Sequence, residues 1–125
     1  MNDDEGKRIE IWVEDDQDFG GGDGGFSKRG AAWDVDPDGN KGSNEVGDVQ
    51  RTDRPTQHGT AAVTLVIRLN GRVFREGTVV AKGALPYDGD IGSGLLAITG
   101  GTGGHAEIAG VIQVESWNPK KYSVQ

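Results

Sequence analysis

Residues Asp34–Glu45 read DVDPDGNKGSNE, and two kinds of fold compete for that stretch. It satisfies the calcium-loop template D-x-D-x-D-G-x5-E, in which oxygens wrap one hard cation and a glycine permits the sharp turn. On that reading Asp34, Asp36, Asp38, Asn40 and Glu45 are the side-chain ligands, and a helix stands on each side. The flanks resist it. FSKRGAAW before the loop carries a glycine, and VGDVQRTDR after it offers no apolar helical face. Lys41 takes a loop position that is usually apolar, and no second loop of this kind follows. Asp-Pro-Asp-Gly is also a strong turn sequence, because proline presets φ and glycine accepts the left-handed region. A turn between two strands is therefore the expected structure, with the calcium loop as the alternative.

The rest of the chain favours strands as well. Twenty-two glycines among 125 residues, with no apolar pattern of helical period, argue against helices. Short β-rich segments separated by turn signals indicate an all-β barrel or sandwich. Strands are expected near residues 8–14, 26–35, 41–50, 59–69, 72–84, 92–99, 105–116 and 119–124. Asn70-Gly71 signals a two-residue hairpin, which would set Leu69 opposite Arg72, Ile67 opposite Phe74 and Leu65 opposite Glu76. That register places Leu65, Ile67, Phe74 and Glu76 on one inward face, and a bulge at Gly77 would exchange the faces beyond it.

Composition removes several classes of function. One domain over residues 8–125 is expected, behind a flexible acidic terminus of residues 1–7. There are no cysteines, so disulfides and thiolate metal sites are out. Residues 1–25 hold nine acids against Lys7 and Arg8, which accounts for the whole net charge of −7. The remainder is neutral, so no basic footprint for nucleic acid exists. No apolar run approaches a bilayer span, and MNDDEGKR lacks a signal peptide's order. A soluble cytoplasmic protein with no membrane partner is expected. His58 and His105 lack the spacing of a zinc site, and no serine sits in a nucleophile elbow.

The run LLAITGGTGGHAEIAGVIQVE, residues 95–115, is expected to turn on Gly100–Gly104 between two strands. No helix pattern follows those glycines, so they are not a phosphate cradle. An apolar strand leading into GGTG and then into Ala109-Gly110-Val111-Ile112 resembles the allene oxide cyclase-like and dirigent-like barrels. His105 stands near that family's usual aromatic, and Ile108-Ala109-Gly110 replaces its Ala-Arg-Gly. Asp36-Pro37-Asp38-Gly39, followed by Lys41-Gly42, is similar to a hairpin of bacterial members, and the likeness covers about residues 26–116. It implies an eight-stranded antiparallel β-barrel of calycin type that forms a dimer or trimer. It also implies a cyclase of natural-product biosynthesis that uses no cofactor and closes an apolar, polyketide-like substrate, by intramolecular Diels–Alder reaction in some members. The alternative is a non-catalytic stereochemical guide of dirigent type, or a small-molecule-binding barrel.

A cyclase of this kind needs a shaped, dry cavity rather than a nucleophile. Trp12, Trp33, Leu65, Ile67 and Phe74 are the candidate walls, with Tyr87 at a loop rim. Glu76 is the candidate catalytic group. A carboxyl set in an apolar interior would keep its proton and could donate a hydrogen bond to a substrate carbonyl.

Overall fold

Eight strands follow one another around a closed barrel: β1 (Ile9–Gly20), β2 (Phe26–Val35), β3 (Lys41–Pro55), β4 (Thr60–Leu69), β5 (Gly77–Pro86), β6 (Gly94–Gly103), β7 (Val111–Trp117) and β8 (Lys120–Val124). Every neighbouring pair is antiparallel, and β8 returns to β1 with Ile11 opposite Tyr122. The structure, a computed structural model, describes residues 9–20, 26–56, 59–87, 93–106, 108–117 and 120–124. The expected flexible head, residues 1–7, lies outside them. Of the two architectures open to an all-β chain, the closed barrel is the one formed. No helix among the described residues is long and apolar enough to cross a membrane.

Period-two alternation builds the interior. On β4 the inward residues Ala61, Val63, Leu65, Ile67 and Leu69 are buried, while Ala62 and Arg68 are exposed. Residues opposite one another in the ladder share a face, which gives inward rows such as Val49–Ile67–Val79 and Leu65–Ala81–Ile98. Ile11 and Val13 from β1, Leu96 from β6, Ile112 and Val114 from β7 and Tyr122 from β8 complete the core. Each fully buried leucine or isoleucine here contributes about 1.5–3 kcal/mol of transfer free energy.

The opening stretch is a turn. Gly39 N donates to Asp36 O at 3.0 Å and Asp36 N to Asn40 O at 2.8 Å, so β2 reverses directly into β3. The Asp36 carboxylate accepts from the backbone N–H of Asp38 at 3.0 Å and of Asn40 at 2.8 Å. Side-chain acceptance of this kind is why aspartate suits the first position of such a turn.

The second hairpin departs from expectation. Leu69 pairs with Gly77, not Arg72, so the connection is residues 70–76 rather than two residues. The pairing on β5 is displaced by five residues, an odd number, and its faces are therefore exchanged. Val79 and Ala81 point inward in place of Thr78 and Val80. Asn70 is drawn toward β3 instead of closing a tight turn: its N–H donates to Val46 O at 2.9 Å and its Nδ2 to Glu45 O at 3.0 Å.

Gly77 anchors the displaced register. Its φ is +154°, and a Cβ there would stand 2.3 Å from Thr102 O. The Gly77→Ala variant is expected to lose about 2–3 kcal/mol of stability, read from its urea midpoint. An unchanged midpoint would contradict the close approach of β5 and β6.

Candidate functional site

The strand directions give the barrel two different ends. Where β2, β4 and β6 finish, the 70–76 connection folds over the opening and buries Phe74 against the core. Gly104 N donates to Glu76 O at 2.8 Å, and the buried His105 ring places Nε2 2.7 Å from Arg75 O. A carbonyl only accepts, so His105 carries its proton on Nε2 in this contact. The turn holding His105 fits because Gly101 lies beneath it. A Cβ on Gly101 would stand 2.1 Å from His105 O. The GGTG sequence thus does not form the turn. β6 continues through Gly103, and the reversal begins at Gly104.

The other half of the barrel holds charge. Past Val49, the inward positions of β3 are Arg51 and Asp53, opposite Leu65 and Val63. Arg51 Nε and Asp53 Oδ2 are 2.9 Å apart, and the two side chains are only 9% and 4% exposed. Both take further partners beyond each other. The next residues around the wall are Ala81, beside Leu65, and Gly83, beside Val63. An ion pair among aliphatic side chains presents a fixed cluster of N–H donors next to a carboxylate acceptor. That combination can bind the polar end of an otherwise apolar molecule, orient it, and stabilise negative charge that develops on an oxygen.

Small residues do not by themselves open a cavity. A Cβ on Gly83 would meet Leu96 Cδ2 at 3.0 Å, and one on Gly94 would meet Leu85 Cδ2 at 2.8 Å. Leucines from neighbouring strands already fill those spaces, so these two glycines relieve crowding.

Of the expected site residues, Leu65, Ile67 and Phe74 meet in one core cluster. Trp12 and Trp33 do not join them. They pair with each other across β1 and β2 on the outer wall, because Ile11, Val13 and Ala32 take the inward positions. Lys41 Nζ lies 4.0 Å from the centroid of the Trp33 ring and also pairs with Glu14. Tyr87 follows β5, half-buried, with its N–H donating to Gly59 O at 2.9 Å. Glu76 is exposed in the 70–76 connection, outside the interior. The longer connection carried it out of the position that a two-residue turn would have given.

Strands flank residues 36–40, and the carboxylate of Asp34 is engaged by Asn44, at 3.0 Å from its backbone N and 2.9 Å from its Nδ2. Among the described residues no three His, Cys, Asp or Glu side chains are placed to hold a metal ion. His58 lies outside the described residues.

Breaking the interior pair from one side should be costly. Asp53→Asn removes the carboxylate charge beside the buried guanidinium, and a loss of about 3–5 kcal/mol is expected in denaturant titration. Arg51→Met combined with Asp53→Leu should cost far less, or nothing. Equal losses in the two variants would show that the pair is not desolvated as described. Millimolar calcium should leave the unfolding midpoint of the wild-type protein unchanged, because a ligand stabilises only a state that binds it.

No family model matches the chain, and no curated protein matches it in sequence. Among solved structures it is similar to one named pyocyanin demethylase, with a TM-score of 0.64 and 22% sequence identity over 95% of this chain and 98% of that one. At that identity the likeness shows the fold. A fold of this kind is one that another protein, named for a demethylation, also uses.

Proposed function

We propose that the chain is a small-molecule enzyme that holds an apolar substrate by one polar group against Arg51 and Asp53. The supporting observation is the placement of that ion pair on the inward face of β3, among Val49, Val63 and Leu65. Removing two such ions from water costs several kcal/mol each, and apolar residues of similar volume would be as good or better for stability. Active sites are places where burial and close charge pairs are arranged for chemistry. The fold shared with a protein named as a demethylase is compatible with this reading.

The reaction proposed is a cofactor-independent ring closure, in line with the family resemblance of the GGTG region. Arg51 takes the donor role that the sequence suggests for Glu76. Its guanidinium would hydrogen-bond a carbonyl conjugated to the reacting alkene, drawing electron density toward oxygen as the new bonds form. Asp53 holds that guanidinium in place and offers an acceptor for a neighbouring enol or amide proton of the substrate. The aliphatic wall would fold the remaining chain and exclude water.

The test pairs binding with turnover. The wild-type protein is offered linear polyenes bearing a conjugated carbonyl, and pyocyanin, with thermal unfolding and product formation recorded. Ligand-dependent stabilisation is expected, together with cyclised product from a polyene. Arg51→Lys preserves the charge but loses the planar fork, so affinity or rate should fall at least tenfold, about 1.4 kcal/mol. Turnover that survives Arg51→Lys unchanged would remove Arg51 from the site. Conversion of pyocyanin instead of any polyene would replace the cyclase reading.

A further inference from the structure

The displaced 70–76 connection creates a second site on the outside of the barrel. Arg68 lies directly opposite Thr78, and Thr78 directly opposite Thr102, so a cation and two hydroxyl groups form one row across β4, β5 and β6. Direct cross-strand neighbours bring their Cβ atoms to about 5 Å, close enough for one small anionic group to span two of them. The next row is Leu69, Gly77 and Gly103. An open cleft of about 570 Å³ takes in both rows, with Glu76 at its margin.

Arg68 and Glu76 line the same cleft with opposite sign, yet they do not approach within ion-pair distance of each other. Neither side chain has any other hydrogen-bond or ion-pair partner among the described residues. Some exposed charges of this barrel do pair: Arg29 contacts Asp48 at 3.2 Å, and Lys41 pairs with Glu14. The hydrogen bonds from Gly104 N to Glu76 O and from His105 to Arg75 O fix the backbone on which Glu76 stands.

We infer that this outer cleft binds a small zwitterion. Its carboxylate would meet the Arg68 guanidinium and the hydroxyls of Thr78 and Thr102, and its ammonium group would meet Glu76. The guanidinium fork matches a carboxylate in two parallel hydrogen bonds, and an ammonium group donates readily to a carboxylate. A ligand carrying only an anion would face the Glu76 charge, and one carrying only a cation would face Arg68. The site is independent of Arg51 and Asp53, so its ligand need not be the substrate of the interior. Because the cleft is open to water, affinity is expected on the order of millimolar.

The full chain, labelled with nitrogen-15, is titrated with glycine, diglycine and triglycine, which separate the two charges by increasing distances, and with acetate, inorganic phosphate and methylammonium. The expected result is saturable amide shifts at Arg68, Gly77, Thr78, Thr102 and Gly103 with at least one peptide, and weaker response to acetate, phosphate and methylammonium. Arg68→Ala should weaken peptide binding roughly tenfold. Glu76→Gln should remove the preference for the peptide over acetate. Both residues are exposed, and a dispersed amide spectrum in each variant shows that the fold persists. Phosphate or acetate binding as tightly as the peptides, shifts that survive Arg68→Ala, or no saturable shift at tens of millimolar would each overturn the proposal.

Discussion

Closure of β8 onto β1 is the constraint on which the rest depends. The seam is short, running from Ile9 opposite Val124 to Val13 opposite Lys120. It nevertheless converts a twisted ribbon with two open edges into a wall with an inside. Ile11 and Tyr122 meet across it and are both about 1% exposed. With the seam open, Arg51 and Asp53 would sit on a wet sheet face, where such a pair is worth little. Once it is closed, the surrounding aliphatic side chains lower the local dielectric. The mutual attraction of the charges and the penalty for desolvating them then both rise. The chemistry available to the interior is thus a consequence of strand pairing several residues away.

The asymmetry of the two ends gives that interior a direction. Phe74, Leu69 and the His105 turn stopper the end where β4 and β6 finish, and the tie from His105 to Arg75 joins the two connections that cover it. The charged residues lie toward the end of β3, beyond Val49. Arg51 and Asp53 therefore lie nearest the end where β3 and β5 finish, with Val63, Leu65 and Ala81 as their neighbours around the wall. The outer cleft is on the opposite side of the wall at the stoppered end, which separates any ligand there from the interior.

Much of the fold could be read from local chemistry, because turn residues and period-two alternation act over a few residues. Asp36-Pro37-Asp38-Gly39 specifies its reversal almost unaided, and the alternation of Ala61, Val63, Leu65, Ile67 and Leu69 identifies the inward face of β4. The failures have long-range causes. Asn70-Gly71 has the composition of a tight hairpin, but Asn70 bonds to Val46 and Glu45 of another strand, and this contact outweighs the local preference. From that one event follow the exchanged faces of β5 and the exposure of Glu76. Trp12 and Trp33 mislead because large aromatics suggest a core. Here smaller neighbours of the correct parity fill it, and a lysine covers one of the two rings. The interior charges were missed because QRTDRPTQH is a polar stretch that lies beyond the strand expected at residues 41–50. Its signal was the spacing Val49, Arg51, Asp53, which continues the strand period with charged residues where apolar ones are expected.

One structural explanation for a buried ion pair is that it enforces a unique register, as polar residues do in some coiled coils. The geometry of β3 works against that explanation. A slip of one residue would turn Arg51 and Asp53 outward into water and bring Gln50, Thr52 and Arg54 inward. The slipped arrangement would solvate the pair but bury the charge of Arg54 in its place, so the polar residues of β3 do not by themselves select a register. Val46 and Val49, both buried, supply the preference, and the row Val49–Ile67–Val79 locks it across three strands. The barrel thus keeps its register, and with it the two interior charges, by means of its apolar residues.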